Sequence, residues 1–318
     1  MRHSKICYFL LCIAAFCSCS KNGKNEKHLT NHLDFSEIDT VAVQCVDSSV
    51  CADSWIMLDG EIVCKTESPE ALYTVLDSSA FSKKYVFGKK GHGKNEWVAP
   101  HILAKTEQGL LVLDNGDKKL YYVKGAEIQS VKKCSLRDAV NDAKEIEYPV
   151  LGYVSTTPDA QYLKLTNVEN DNAIDSISFV DTSNKGNASL YDFVWNSNHA
   201  NRIVIAHQHS ERYIVYETDS EHRIVGSRTF DTKDDSFSPD RITYSDIACG
   251  NYIYLLSQKN VNVEDATGFS EIEIYDYDGV CIKKLVLNII ADKMLLDEAN
   301  HRLLLTSIED ASINVVKI

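Results

Sequence analysis

The sequence predicts an all-β chain, a six-bladed β-propeller of four-stranded antiparallel blades with the ring closed by an N-terminal strand. Three observations predict it. A short apolar run recurs at Gly60 (GEIVCK), Gly109 (GLLVLD), Asn201 (NRIVIA), Asn251 (NYIYLL) and Asn300 (NHRLLL), with a weaker copy at Gln161 (QYLKLT). The spacings of 49, 52, 40, 50 and 49 residues lie in the range of propeller blades. Turn signals follow the runs, as Asp114-Asn115-Gly116-Asp117 and Asp278-Gly279, and supply the positive φ angles that tight hairpins need. Helical signals are few, and the longest helix-compatible piece, Ser135–Lys144, reads as a connector.

The chain begins with Arg2 and Lys5, an apolar run from Ile6 to Phe16, and small residues with cysteines. That order is an export signal, and a run of about 11 apolar residues is short for a membrane-spanning helix. Ser18-Cys19 resembles the lipobox of bacterial lipoproteins, in which cleavage leaves a lipid-bearing Cys, here Cys19. Residues 1–19 are therefore read as a signal, 20–34 as a polar tether and 35–318 as one propeller domain. About 299 residues suffice to bury roughly three quarters of the unfolded surface in one domain. In lipoproteins of this kind, acidic residues after the Cys direct export to the cell surface. Here that stretch, SKNGKNEKH, is basic and implies a periplasm-facing anchor.

The formal charge is −13, and removing the two leader cations leaves −15. Such a surface repels phosphate backbones, which excludes nucleic acid as the expected partner. Six cysteines follow residue 19: Cys45, Cys51, Cys64, Cys134, Cys249 and Cys281. None forms C-x-x-C or a zinc-finger spacing, so most are expected as small buried apolar residues, with Cys45–Cys51 the shortest disulfide loop available.

Ring closure is assigned to Val41–Val46 (VAVQCV), paired with the last blade at Lys293–Ile318. In Glu271-Ile272-Glu273-Ile274 the alternation predicts a strand with one buried and one wet face. Gly88–Asn95 (GKKGHGKN) falls one residue short of the phosphate-loop pattern, with Asn95 where a hydroxyl should hold Mg²⁺. Pro100 close behind is a poor helix opening, so no nucleotide is expected. The glycines are instead read as a tight inter-blade loop in which Glu96 accepts backbone N–H bonds and Trp97 packs between blades.

The run Phe87–Trp97, followed by a strand ending in Asp114, resembles a motif of TolB-like or NHL-like six-bladed propeller lipoproteins of Gram-negative gut bacteria. Gly88, Gly91, Gly93 and Glu96 match it, Trp97 stands for Phe or Tyr, and Lys94 replaces the usual Pro. The resemblance implies the fold and brings no catalytic residue with it.

His207 and His209 are two apart and, on one strand, share a face that suits a metal; they are the weak metal candidates. The acidic runs Asp231–Asp235 and Asp297-Glu298 lack EF-hand spacing and read as solvated loops. No nucleophile elbow or H-E-x-x-H occurs. The expected function is a membrane-anchored, non-catalytic binding or assembly module for a protein, peptide or glycan, without a cofactor. The alternative is a channel-centred, metal-dependent lactonase, hydrolase or lyase.

Overall fold

The computed structural model describes residues 25–318 apart from 31–34, 36, 42–43, 48–53, 59, 69–70, 94, 108, 135–140, 158–159, 180–192, 199–200, 232–240 and 263–266. Three strands precede the ring: β1 (Asn25–Thr30), β2 (Ile38–Val41) and β3 (Gln44–Asp47). Blade 1 is β4 (Trp55–Leu58), β5 (Glu61–Ser68), β6 (Ala71–Asp77) and β7 (Lys83–Phe87). Blade 2 is β8 (Pro100–Thr106), β9 (Gly109–Asp114), β10 (Lys119–Lys124) and β11 (Glu127–Lys133). Blade 3 is β12 (Asn141–Glu147), β13 (Val150–Thr157), β14 (Ala160–Asn167) and β15 (Asn172–Phe179). Blade 4 is β16 (Phe193–Ser197), β17 (Arg202–His207), β18 (Arg212–Thr218) and β19 (Ile224–Asp231). Blade 5 is β20 (Tyr244–Cys249), β21 (Ile253–Asn262), β22 (Thr267–Tyr275) and β23 (Cys281–Leu287), and blade 6 opens with β24 (Ala291–Asp297), β25 (Arg302–Ser307) and β26 (Ile313–Lys317).

Within each blade the strands pair antiparallel in chain order, and the first strands of neighbouring blades meet around the axis. One end of the ring carries the inter-blade connections and the second-to-third turns; we call it the connection face. The other end, the turn face, carries the remaining hairpins. No described helix is long and apolar enough to cross a membrane.

Blade 6 takes its fourth strand from the N-terminal part: β3 pairs antiparallel with β26, Asp47 opposite Ile313 and Gln44 opposite Val315. The closing strand is shorter than Val41–Val46 suggested. Val41 instead ends β2, which adds to the outer edge of blade 5 parallel to β23, Ile38 opposite Lys284. β1 does the same on blade 4, Asn25 opposite Gly226, so part of the stretch read as a tether is a strand. An outer strand leaves N–H and C=O groups unpaired, and an extended segment satisfies them.

Three sequence expectations are corrected here. Gln161 lies in β14, the third strand of its blade, whereas the other copies of the motif form second strands; the second strand of blade 3 is β13. The alternation in β22 does not mark a wet face. Ile272 and Ile274 pack towards blade 6, but Glu273 is fully buried and Tyr275 packs towards blade 4. The connector read over Ser135–Lys144 also shortens, because Asn141–Lys144 opens β12 and residues 135–140 lie outside the described ones.

The core is divided among the inter-blade spaces. Val204, Val215 and Phe230 of blade 4 meet Leu255 and Tyr275 of blade 5, and Ile62 and Leu76 of blade 1 meet Leu304 of blade 6. Cys64 and Cys134 are buried, Cys249 and Cys281 partly so, and none of the four is in a disulfide. Burial pushes the Cys249 thiol up to about 12, which makes it inert. The Cys19 and Cys51 calls lie outside the described residues.

Candidate functional site in the channel and on the connection face

The inter-blade loop read from the glycines closes on itself. The Gly91 N–H donates to the Trp97 carbonyl at 3.0 Å, the Trp97 N–H to the Lys89 carbonyl at 2.8 Å, and the Gly93 N–H to Glu96 Oε2 at 2.9 Å. A Cβ on Gly91 collides with the Glu96 carboxylate, and one on Gly88, at φ +77°, comes within 2.6 Å of the Trp97 ring. The Gly93 hydrogen bond, with Lys89 beside it, holds the Glu96 carboxyl below its ordinary value. Trp97 is buried against Tyr73 and Phe87 of blade 1 and Tyr121 of blade 2. Beyond it, buried Asp114 accepts the N–H groups of Val98, Ala99 and Gly116 at 2.8, 2.9 and 3.0 Å. The segment opens strand β8, not a helix, so it lacks the helix N-terminus that a phosphate loop uses.

Around the axis, the first strands reach across to one another with polar side chains. Lys144 Nζ donates to the Trp195 carbonyl at 2.6 Å, Asn196 Nδ2 to the Ile247 carbonyl at 3.0 Å, and the Met294 N–H to Asp246 Oδ2 at 2.7 Å. Glu145 Oε2 accepts the Lys105 N–H at 3.3 Å, and the Trp195 indole donates to the Asp142 carbonyl at 3.0 Å. Blades 2 to 6 are thus linked in series. Burial raises the Asp246 carboxyl, and Lys144, Lys293 and two backbone N–H bonds only partly oppose it.

The connection face between blades 4 and 5 holds a second polar cluster. Glu273 lies 2.6 Å from Lys259 Nζ and 3.6 Å from Lys284 Nζ, and accepts the hydroxyls of Tyr244 and Tyr275 at 3.1 and 2.8 Å. Burial pushes its carboxyl up, but the two lysines and the hydrogen bonds outweigh that and the net shift is downward. Lys259 also meets Glu211 at 3.6 Å.

His207 ends β17 and His209 sits in the following turn, so the two do not share the face of one strand. His209 Nδ1 lies 3.1 Å from the Arg241 carbonyl oxygen, while burial and then Arg212 push His207 down to about 4. Among the described residues no three His, Cys, Asp or Glu side chains converge as a metal-binding group. Asp297 is no solvated loop residue; it is buried and takes hydrogen bonds from Asn300 and Arg302.

Ring, closure and channel define the class, a six-bladed β-propeller. No family model and no curated protein matches the chain. Solved structures do. The chain is similar to a calcium-binding protein, regucalcin, from Agrobacterium tumefaciens, with TM-score 0.57 and 11% identity over 89% of this chain and 96% of that one. It is similar to the β-propeller domain of Cps50 (Swd1) from Myceliophthora thermophila, with TM-score 0.55 and 10% identity over 87% and 99%. A protein from Bacteroides fragilis predicted to be exported gives TM-score 0.54 and 11% identity over 92% and 98%. At these identities the likeness is one of fold.

Proposed function

We propose that this propeller is a non-catalytic binding or assembly module of the bacterial cell envelope, held at the membrane by a lipid on Cys19 and facing the periplasm. The observation that carries the reading is the use made of the channel's polar groups. Lys144, Asn196 and Asp246 each bond the backbone of the next blade, so they lock the ring and are not arrayed as a reactive set. A protein, peptide or glycan then binds the loops of one rim, as rigid scaffolds with variable loops allow. The glycine motif at Gly88–Trp97 and the leader support kinship with the TolB-like and NHL-like lipoproteins, and the exported neighbour supports the envelope. Fold alone does not choose a function.

The test is a turnover screen of lactone, ester and phosphodiester substrates with the wild type and Asp246→Asn. The expected result is no turnover that depends on Asp246, and turnover abolished by that substitution overturns the reading. Fractionation of Cys19→Ala tests the anchor: the variant is expected in the soluble fraction.

A second reading, the channel-centred metal-dependent enzyme, draws on the calcium-binding neighbour and on Asp246 lying near the axis. It requires a divalent ion bound there.

A further inference from the structure

The large apolar side chains left exposed among the described residues are unevenly placed. Val225 (49% exposed), Tyr252 (41%) and Val280 (54%) all lie on the turn face of blades 4 and 5, and Ile38 (62%) lies on the adjoining outer edge. One hydrogen bond joins the turns of Tyr252 and Val280, and one ion pair links them to the strand that carries Val225. Arg228 of β19 pairs with Asp278 in the turn that carries Val280. The Tyr277 hydroxyl in that turn donates to the Gly250 carbonyl at 2.9 Å, which joins it to the turn that carries Tyr252. The others are dispersed: Val86 and Val131 on the outer strands of blades 1 and 2, Phe269 and Ile308 towards the connection face, and Ile318 on blade 6.

β1 enters the fold at this same rim. Asn25 pairs with Gly226, the residue after Val225, and the strand then runs towards the connection face. Leu29 and Phe35 pack on the core between blades 4 and 5, so the entry point is fixed to the body of the ring. Cys19 stands six residues before Asn25. At full extension those residues span about 20 Å. A bilayer reached by a lipid on Cys19 therefore lies within that distance of the turn-face end of blade 4. Placing the connection face on the bilayer instead takes up most of the length of β1, again about 20 Å, and leaves no slack.

We propose that the turn-face rim of blades 4 and 5, with Val225, Tyr252 and Val280, rests on the lipid bilayer. The connection face is thereby turned away from it. The proposal rests on the reading of Cys19 as the lipid-bearing residue. Exposed apolar side chains at a rim next to the anchor gain from burial among lipid headgroups, and they add the second attachment that one anchor needs for a fixed orientation.

The experiment uses the full-length, lipidated protein in phosphatidylethanolamine and phosphatidylglycerol vesicles with brominated acyl chains. A fluorescent amino acid replaces Val225 or Val280 on the rim, or Glu309 on the connection face. Quenching severalfold stronger at 225 and 280 than at 309 is expected. Equal or reversed quenching on vesicle-bound protein overturns the mounting while leaving the anchor in place. Protein that stays off the vesicles, as Cys19→Ala is expected to, overturns the anchor itself. Positions 252 and 117 form a second pair, on the same two faces, if a rim variant melts below the wild type.

Discussion

The indole of Trp97 meets the ring of Tyr121 edge-on, 5.6 Å between centroids and 61° between planes. Tyr121 belongs to blade 2, and Trp97 also meets Tyr73 and Phe87 of blade 1 at 6.0 and 6.1 Å. One loop residue therefore fastens two blades, and Gly88 leaves room for its ring.

Trp97→Ala is expected to cost about 3–5 kcal/mol, the range for truncating a fully buried aromatic side chain. Gly88→Ala should also destabilise, because a left-handed backbone is forced on Ala and its Cβ meets the indole. Urea denaturation followed by far-UV circular dichroism measures both, and a change under 1 kcal/mol in Trp97→Ala contradicts the packing argument.

Glu273→Gln removes the buried carboxylate that Lys259 and Lys284 share, leaving Lys259 only Glu211 at 3.6 Å and Lys284 only Glu271 at 3.3 Å. A loss of about 3 kcal/mol is expected. Glu273→Met with Lys259→Met should be less unstable than Glu273→Gln alone, as denaturation midpoints will show.

His207 is neutral in the folded chain, with a value of about 4 against about 6.5 when unfolded. The sign follows from proton counting. Its contribution is complete above the unfolded value and is lost as the pH falls from about 6.5 towards 4, because the unfolded chain binds the extra proton. The loss amounts to about 2 kcal/mol once solvent at its half-buried edge is allowed for. Stability measured at pH 7 and at pH 4.5 should differ less in His207→Gln than in the wild type.

Deleting residues 35–47 removes β2, β3 and Phe35, and leaves blade 6 with three strands. The melting temperature is expected to fall by about 10 °C or more. An unchanged thermal transition contradicts closure by β3.

The second strands were legible because each is a buried apolar run behind a turn residue. Blade 3 hid its own: β13 starts after Tyr148-Pro149, and Gly152 interrupts the pattern to make room for Trp195, whose ring stands 2.5 Å from where a Cβ would be. Glu273 was illegible because alternation distinguishes two faces but not whether the second is wet, and in a propeller blade both faces pack on neighbours. Lys144, Asn196 and Asp246 share no local pattern. They sit on short inner strands far apart in the chain, and only the closed ring brings them together.

On the proposed function the polar side chains of the channel lock the ring and hold no catalytic metal. Isothermal titration of the purified protein with Ca²⁺ and Mn²⁺, alongside Asp246→Asn, tests it most directly. No saturable heat beyond dilution is expected in either protein. Saturable micromolar binding that Asp246→Asn abolishes would contradict it.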